Sequence, residues 1–166
     1  MAVPLVAIIL AAGDSTRMNS KTPKVLHPVA GQPMIDYALQ NAQAVSPSKI
    51  YVVVGSHFSE VSAHVGKRAI PVLQKKRMGT GHAVQQLLPH LKAFKGNVLV
   101  LHADACLIRP QTVQALRQFH LLQNAGATLL TARVETPFGY GRIVRGEGGE
   151  VERIVEEKDA TDRERR

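Results

Sequence analysis

Leu5-Val6-Ala7-Ile8-Ile9-Leu10-Ala11-Ala12 is an unbroken apolar run, and Gly13 follows it at once. The run does not alternate. A strand with one face in water would place polar residues at every second position, so this one reads as buried on both faces, the condition of a central strand in a parallel sheet. It resembles the middle of a signal peptide only in composition: no basic segment precedes it, no clear cleavage site follows it, and it is too short to span a bilayer.

Working outward, the same signature returns at Ile50-Tyr51-Val52-Val53-Val54, closed by Gly55, and at Val98 to Leu101. Ile70 to Leu73 and Thr128 to Val134 read as further strands. Between them lie helical patterns. Pro33 opens a helix through about Val45, with Ile35, Leu39 and Ala42 at helical spacing; Phe58, Val61 and Val65 mark a short helix. Thr80 to Phe94 reads as a helix that Pro89 kinks or ends, and Pro110 opens another on which Val113, Leu116 and Phe119 share a face. Residues 142 to 145 and 151 to 155, around Gly146-Glu147-Gly148-Gly149, form a hairpin. Alternating strands and helices predict an α/β fold: an open, doubly wound, mostly parallel sheet with helices on both faces. Ligands of such sheets sit beyond the carboxyl ends of the strands, which directs attention to Gly13 onward, Gly55, and His102-Ala103-Asp104.

The chain has 166 residues, is 45% hydrophobic and has no Trp, enough for one domain with an aliphatic core. The single cysteine, Cys106, excludes an internal disulfide framework, and a cytoplasmic address follows. Residues 1 to 146 hold 16 basic and 5 acidic residues, a net +11, while the remainder is acidic. That field suits a polyanion, and nucleotide phosphates, nucleic acid or an acidic protein would each satisfy it, as would a plain solvated surface. There is no nucleic-acid-binding motif and few aromatics to stack on bases, so nucleic acid is set aside. The seven histidines show no i, i+4 pair, and nothing points to zinc.

Gly13 to Lys24 leaves the central strand carrying Arg17, Lys21 and Lys24 among small polar residues. Backbone N–H groups in such a loop can cup phosphates and the cations can neutralise transferring charge, although an exposed basic loop fits equally; the spacing is not that of a P-loop. Asp104, after a buried strand, is placed either to hold Mg²⁺ or to cap the next helix. Gly79-Thr80-Gly81-His82 starts a helix behind Lys75-Lys76-Arg77, a place for close approach to a ring or an anion, or for Thr80 as a plain N-cap.

Five stretches together resemble the nucleotidyltransferase domain of the bacterial N-acetylglucosamine-1-phosphate uridyltransferases: residues 10 to 18 (Leu10 to Met18), Pro23-Lys24-Val25-Leu26-His27, Gly79 to Val84, Gly139 to Val144 and Val155 to Thr161. The resemblance covers nearly the whole chain. It implies a single nucleotide-diphospho-sugar transferase domain over residues 1 to 166, with UTP along Leu10, Ala11, Ala12 and Gly13 and the uracil at Gln74, Gly79 and Thr80. Arg17 and Lys24 would be the catalytic cations at the phosphates, Asp104 the ligand of Mg²⁺, and His102, Gly141 and Glu156 the contacts to N-acetylglucosamine 1-phosphate. The implied reaction yields UDP-N-acetylglucosamine and pyrophosphate for cell-envelope precursors, with no membrane insertion and a homo-oligomer in the full-length form.

The chain departs from the family pattern at Ser15, where a second glycine is usual, and at Ala103 and Cys106 beside the metal Asp, where Gly and Pro are usual. Family domains also continue past the position matching Arg166, so the expectation is a domain lacking its C-terminal part, either catalytically competent or a nucleotide-binding fragment.

Overall fold

A computed structural model describes residues 3–13 and 18–165. The chain divides into two compact units, Met1–Thr128 and Leu129–Arg166.

The first unit is built on β1 (Leu5–Ala11), whose whole apolar run is extended. After it come a small ribbon of β2 (Pro28–Val29) and β3 (Gln32–Pro33), helix α1 (Met34–Gln43), β4 (Lys49–Val54), α2 (Phe58–Val65) and β5 (Ile70–Leu73). The unit continues through α3 (Thr80–Gln85), α4 (Leu88–Leu91), β6 (Asn97–His102) and α5 (Pro110–Leu122). The sheet order is β5-β4-β1-β6, and every neighbouring pair is parallel. The chain runs outward from β1 to β4 and β5, then returns to β1's other side with β6. The order therefore reverses between β1 and β6, and a crevice opens at the carboxyl ends of strands where such a reversal occurs.

Both faces of β1 are covered, which is why its sequence does not alternate. Ala7, Ile9, Val52 and Val54 pack with Ile35, Ala38 and Leu39 of α1, Val61 and Val65 of α2, and Val113 of α5. Ile8, Tyr51 and Val53 face the other way, onto Ala83 of α3 and Leu87. Ile8 and Ile9 are wholly buried, each burial being worth about 1.5–3 kcal/mol. Buried Asn41 donates from its side chain to the Ile108 carbonyl at 2.9 Å, tying α1 to the segment after β6.

Several expectations need correction. Thr128 to Val134 is not a strand: it pairs with none of the described strands, and Leu129, Leu130 and Val134 are exposed. The interruption expected at Pro89, by contrast, is present: Thr80–Gln85 and Leu88–Leu91 are separate helices, since Pro89 has no N–H to donate and its ring would collide with the carbonyl of Gln85. Pro33 precedes its helix, in extended backbone paired with Pro28, and Met34 is the first helical residue. On α5, Val113 meets the core but Phe119 is exposed.

The second unit holds β7 (Arg142–Arg145) and β8 (Val151–Val155), the antiparallel hairpin expected from the glycines, followed by α6 (Asp162–Arg165). Thr161 and Glu164 cap α6 reciprocally: the Thr161 N–H donates to the Glu164 carboxylate at 2.9 Å and the Glu164 N–H to the Thr161 hydroxyl at 3.4 Å. Arg153 also pairs with Glu164, and this hydrogen bond with those from Thr161 holds the Glu164 carboxyl down at about 2.

Candidate functional site

β6 and β5 are each followed by a residue whose backbone extends the ladder by one hydrogen bond. The Ala103 N–H donates to the Leu10 carbonyl at 3.0 Å, and the Gln74 N–H donates to the Val54 carbonyl at 2.8 Å. Asp104 and Gln74 are thus held by the sheet at its carboxyl edge. Gly55 closes β4 so near β1 that a Cβ there would stand 3.0 Å from the Ala12 carbonyl oxygen. Lys24 is fixed differently, on a tight turn in which the Leu26 N–H donates to the Pro23 carbonyl while Val25 is buried in the core.

These residues surround one cleft of about 250 Å³, lined by Leu10 to Gly13, Lys24, Gln74, Arg77, Gly79, Thr80, His102 and Asp104 among others. Lys24 Nζ donates to Asp104 Oδ2 at 2.6 Å. That hydrogen bond outweighs the opposing effect of burial and draws the Asp104 carboxyl below its ordinary value of 3.8. The helix-cap alternative for Asp104 does not hold: its side chain turns to Lys24, and the next helix starts only at Pro110. Ala103 is 1% exposed and packs in the aliphatic core, so the methyl group it has in place of glycine lies in the core.

The glycine-rich segment closes the opposite side. Gly79 has φ +92°, a conformation that side-chain-bearing residues rarely adopt, and it, not Thr80, is the residue that precedes α3. Gln74 is 4% exposed. Its amide nitrogen stands 2.9 Å from His82 Nδ1 and 3.4 Å from the Gly79 carbonyl oxygen, which links the end of β5 to the start of α3.

The residues expected at the nucleotide therefore converge, except that Arg17 and Ser15 lie outside the described residues. Gly141 and Glu156, expected at the sugar phosphate, belong to the second unit and adjoin each other there: a Cβ on Gly141 would lie 3.9 Å from Glu156 Oε2. His102 lines the first unit's cleft. Sequence reasoning missed Arg77 as a lining residue, although the basic run ahead of Gly79 was a signal. It also missed the pairing of Lys24 with Asp104, for which a chain separation of 80 residues leaves no local sign.

The donor set suits a hard, hydrated cation that rests on substrate phosphates, since Mg²⁺ is commonly held by one or two carboxylates and keeps its remaining ligands from water and phosphate. Among the described residues no three His, Cys, Asp or Glu gather into an all-protein cage. No helix among them is long and apolar enough to cross a membrane.

Residues 7–157 match the family model of the MobA-like NTP transferase domain. The bifunctional protein GlmU of Enterococcus faecalis is 47% identical over 160 residues, covering 96% of this chain and 35% of that protein. The bifunctional protein GlmU of Oceanobacillus iheyensis is 48% identical over 159 residues, with the same coverage of 96% and 35%. The chain thus spans about a third of the length of these curated relatives. Among solved structures, a putative glucose-1-phosphate thymidylyltransferase from Bacillus anthracis, in complex with a sucrose, superposes with a TM-score of 0.72 at 21% identity, covering 92% of this chain and 64% of that one. This likeness places the sheet and its helices in the nucleotide-diphospho-sugar transferase fold.

Proposed function

The chain belongs to the MobA-like NTP transferase family, and on that premise we propose that it binds Mg-UTP and transfers the uridylyl group to N-acetylglucosamine 1-phosphate, as a cytoplasmic source of cell-envelope precursor. One observation carries the reading: Leu10 to Gly13, Lys24, Gln74, Gly79, Thr80 and Asp104, drawn from four separate stretches of sequence, line a single cleft at the carboxyl ends of the strands. The GlmU relatives favour UTP and N-acetylglucosamine 1-phosphate over other nucleotide and sugar pairs.

In the proposed reaction a phosphate oxygen of the sugar 1-phosphate attacks the α-phosphorus of UTP in line, forming the new O–P bond as the bond to the bridging β-phosphate oxygen breaks and pyrophosphate leaves. No side chain becomes covalently attached, so catalysis rests on positioning and charge. The backbone from Leu10 to Gly13 lies along the nucleotide, Gln74 and Gly79 hold the base, and Lys24 and Arg17 neutralise the phosphates. Asp104 would hold Mg²⁺, which supplies further neutralisation of phosphate charge when bound. Gly141 and Glu156 contact the sugar phosphate.

Thermal stabilisation by UTP, CTP, GTP and ATP, each with Mg²⁺, tests the nucleotide half, because a ligand that binds only the folded state raises Tm by mass action. The expected result is a shift selective for UTP, lost or reduced in Lys24→Ala and Asp104→Asn while both variants remain folded. Unchanged Mg-UTP affinity in both variants would remove the assigned roles. Pyrophosphate release on adding N-acetylglucosamine 1-phosphate separates a working transferase from a nucleotide-binding module without activity.

A further inference from the structure

Two charged side chains from distant parts of the chain meet in the cleft, where Lys24 Nζ donates to Asp104 Oδ2 at 2.6 Å. Each backbone is held separately. The His27 N–H donates to the Lys24 carbonyl at 3.0 Å while Val25 is buried, and the Ala103 N–H donates to the Leu10 carbonyl at the edge of the sheet. The contact can therefore open by a swing of the lysine's flexible stem, with neither backbone displaced. The two side chains are 32% and 45% exposed, which leaves room for that swing.

We propose that Lys24 holds the Asp104 carboxylate against a bare divalent cation and gives it up when nucleotide phosphates arrive, so that the cleft binds the metal alone weakly and takes it up together with the nucleotide. The inference rests on the roles given to Lys24 and Asp104 in the reading above and adds a coupling between them.

Charge decides the direction of the exchange. Asp104 is the one carboxylate among the described residues that line the cleft, whereas Lys24 and Arg77 are both cations. A divalent ion on the oxygen that Lys24 already holds, at a metal–oxygen distance of about 2 Å, would stand within about 5 Å of the ammonium group. Like charges that close oppose each other, and no second carboxylate among those lining residues offsets them. A triphosphate reverses the balance. Its oxygens offer Lys24 another charged acceptor and offer the cation further ligands, and the Asp104 carboxylate passes from the lysine to the metal.

Binding of Mn²⁺ in nucleotide-free buffer, read from the electron paramagnetic resonance signal of the free ion, tests the inference beside calorimetric Mg-UTP affinity. Lys24→Met keeps the unbranched stem and removes its charge. It is expected to bind Mn²⁺ about 10-fold more tightly than the parent, the lower end of what a neighbouring cation does to a carboxylate's affinity for a proton, while binding Mg-UTP more weakly. Lys24→Gln should shift each affinity in the same direction. Lys76→Gln, which removes a charge outside the contact, should change Mn²⁺ affinity by less than about 2-fold, and Asp104→Asn added to Lys24→Met should abolish the gain. An Mn²⁺ affinity unchanged in both Lys24 variants, a gain that survives Asp104→Asn, or an equal gain in Lys76→Gln overturns the exchange while leaving the uridylyl reading intact. Mg-UTP affinity unchanged in Lys24→Met and in Asp104→Asn removes the roles on which both rest.

Discussion

On one face of the central sheet Ala7, Ile9, Val52 and Val54 lie beneath three helices, α1, α2 and α5. On the other, Ile8, Tyr51 and Val53 have Ala83 and Leu87 over them, and Val98 and Val100 of β6, which share that face with Ile8, remain 43% and 41% exposed. The thin cover is also the segment that bears Gly79, Thr80 and His82. The thick face supplies stability, and the thin one supports residues that line the proposed nucleotide cleft. A segment anchored by few apolar contacts opens at lower free energy than the core beneath it, which suits the wall of the cleft proposed to admit a nucleotide.

The sharpest way to break this comparison is to cut one buried side chain from each face. Ile9→Ala, beneath the three helices, is expected to cost about 3–4 kcal/mol in urea denaturation, near the upper part of the range for such cavities. Leu87→Ala should cost nearer 2 kcal/mol, because the short helices around it can collapse into the space, but it should also weaken nucleotide binding. Equal costs, with nucleotide binding untouched by Leu87→Ala, would mean that the two faces do not differ in the way described.

A smaller effect separates the cleft from both faces. The Asp104 carboxyl is held below its ordinary value of 3.8 by the Lys24 hydrogen bond, so its contribution is fully present above that pH and is lost as pH falls below it through the folded-state value. With the two side chains 32% and 45% exposed, solvent screening limits the contribution to less than about 1 kcal/mol. In metal-free buffer, Asp104→Asn should flatten that acid limb and leave stability near neutrality almost unchanged; an unaltered acid limb would deny the pairing any energetic role. Smallest of all, Val100→Thr on the uncovered part of β6 is expected to stay within about 0.5 kcal/mol of the parent. A large loss there would show that something covers that strand in solution.

What could be read from the sequence follows the same division. Strands buried on both faces announce themselves, because Leu5 to Ala12 and Ile50 to Val54 have no alternative use for so many apolar residues. The helices of the thick face were legible from spacing and from Pro110. Thr128 to Val134 misled because apolar, β-branched residues mark a capacity to pair, and only a neighbouring edge turns that capacity into a strand. The glycines of the cleft could be singled out from their places after strands and before helices. The Lys24–Asp104 pair and the His82–Gln74 contact could not, since each depends on how distant segments are brought to one edge of the sheet.

The sheet order also bears on how the chain acquires its shape. Ile8 pairs with Tyr51 on one side and with Val100 on the other, so the central strand has an open edge until the last of the four strands arrives. Pairings between residues so far apart in sequence form slowly, since a long loop must close before any contact rewards it. During synthesis β1, β4 and β5 emerge first and can assemble alone, leaving the most apolar segment of the protein with a bare row of N–H and C=O groups that can recruit another chain. Yield from a cell should therefore depend on how quickly β6 docks, and a slow or weakened β6 would show first as aggregation during expression, before any change in the finished molecule.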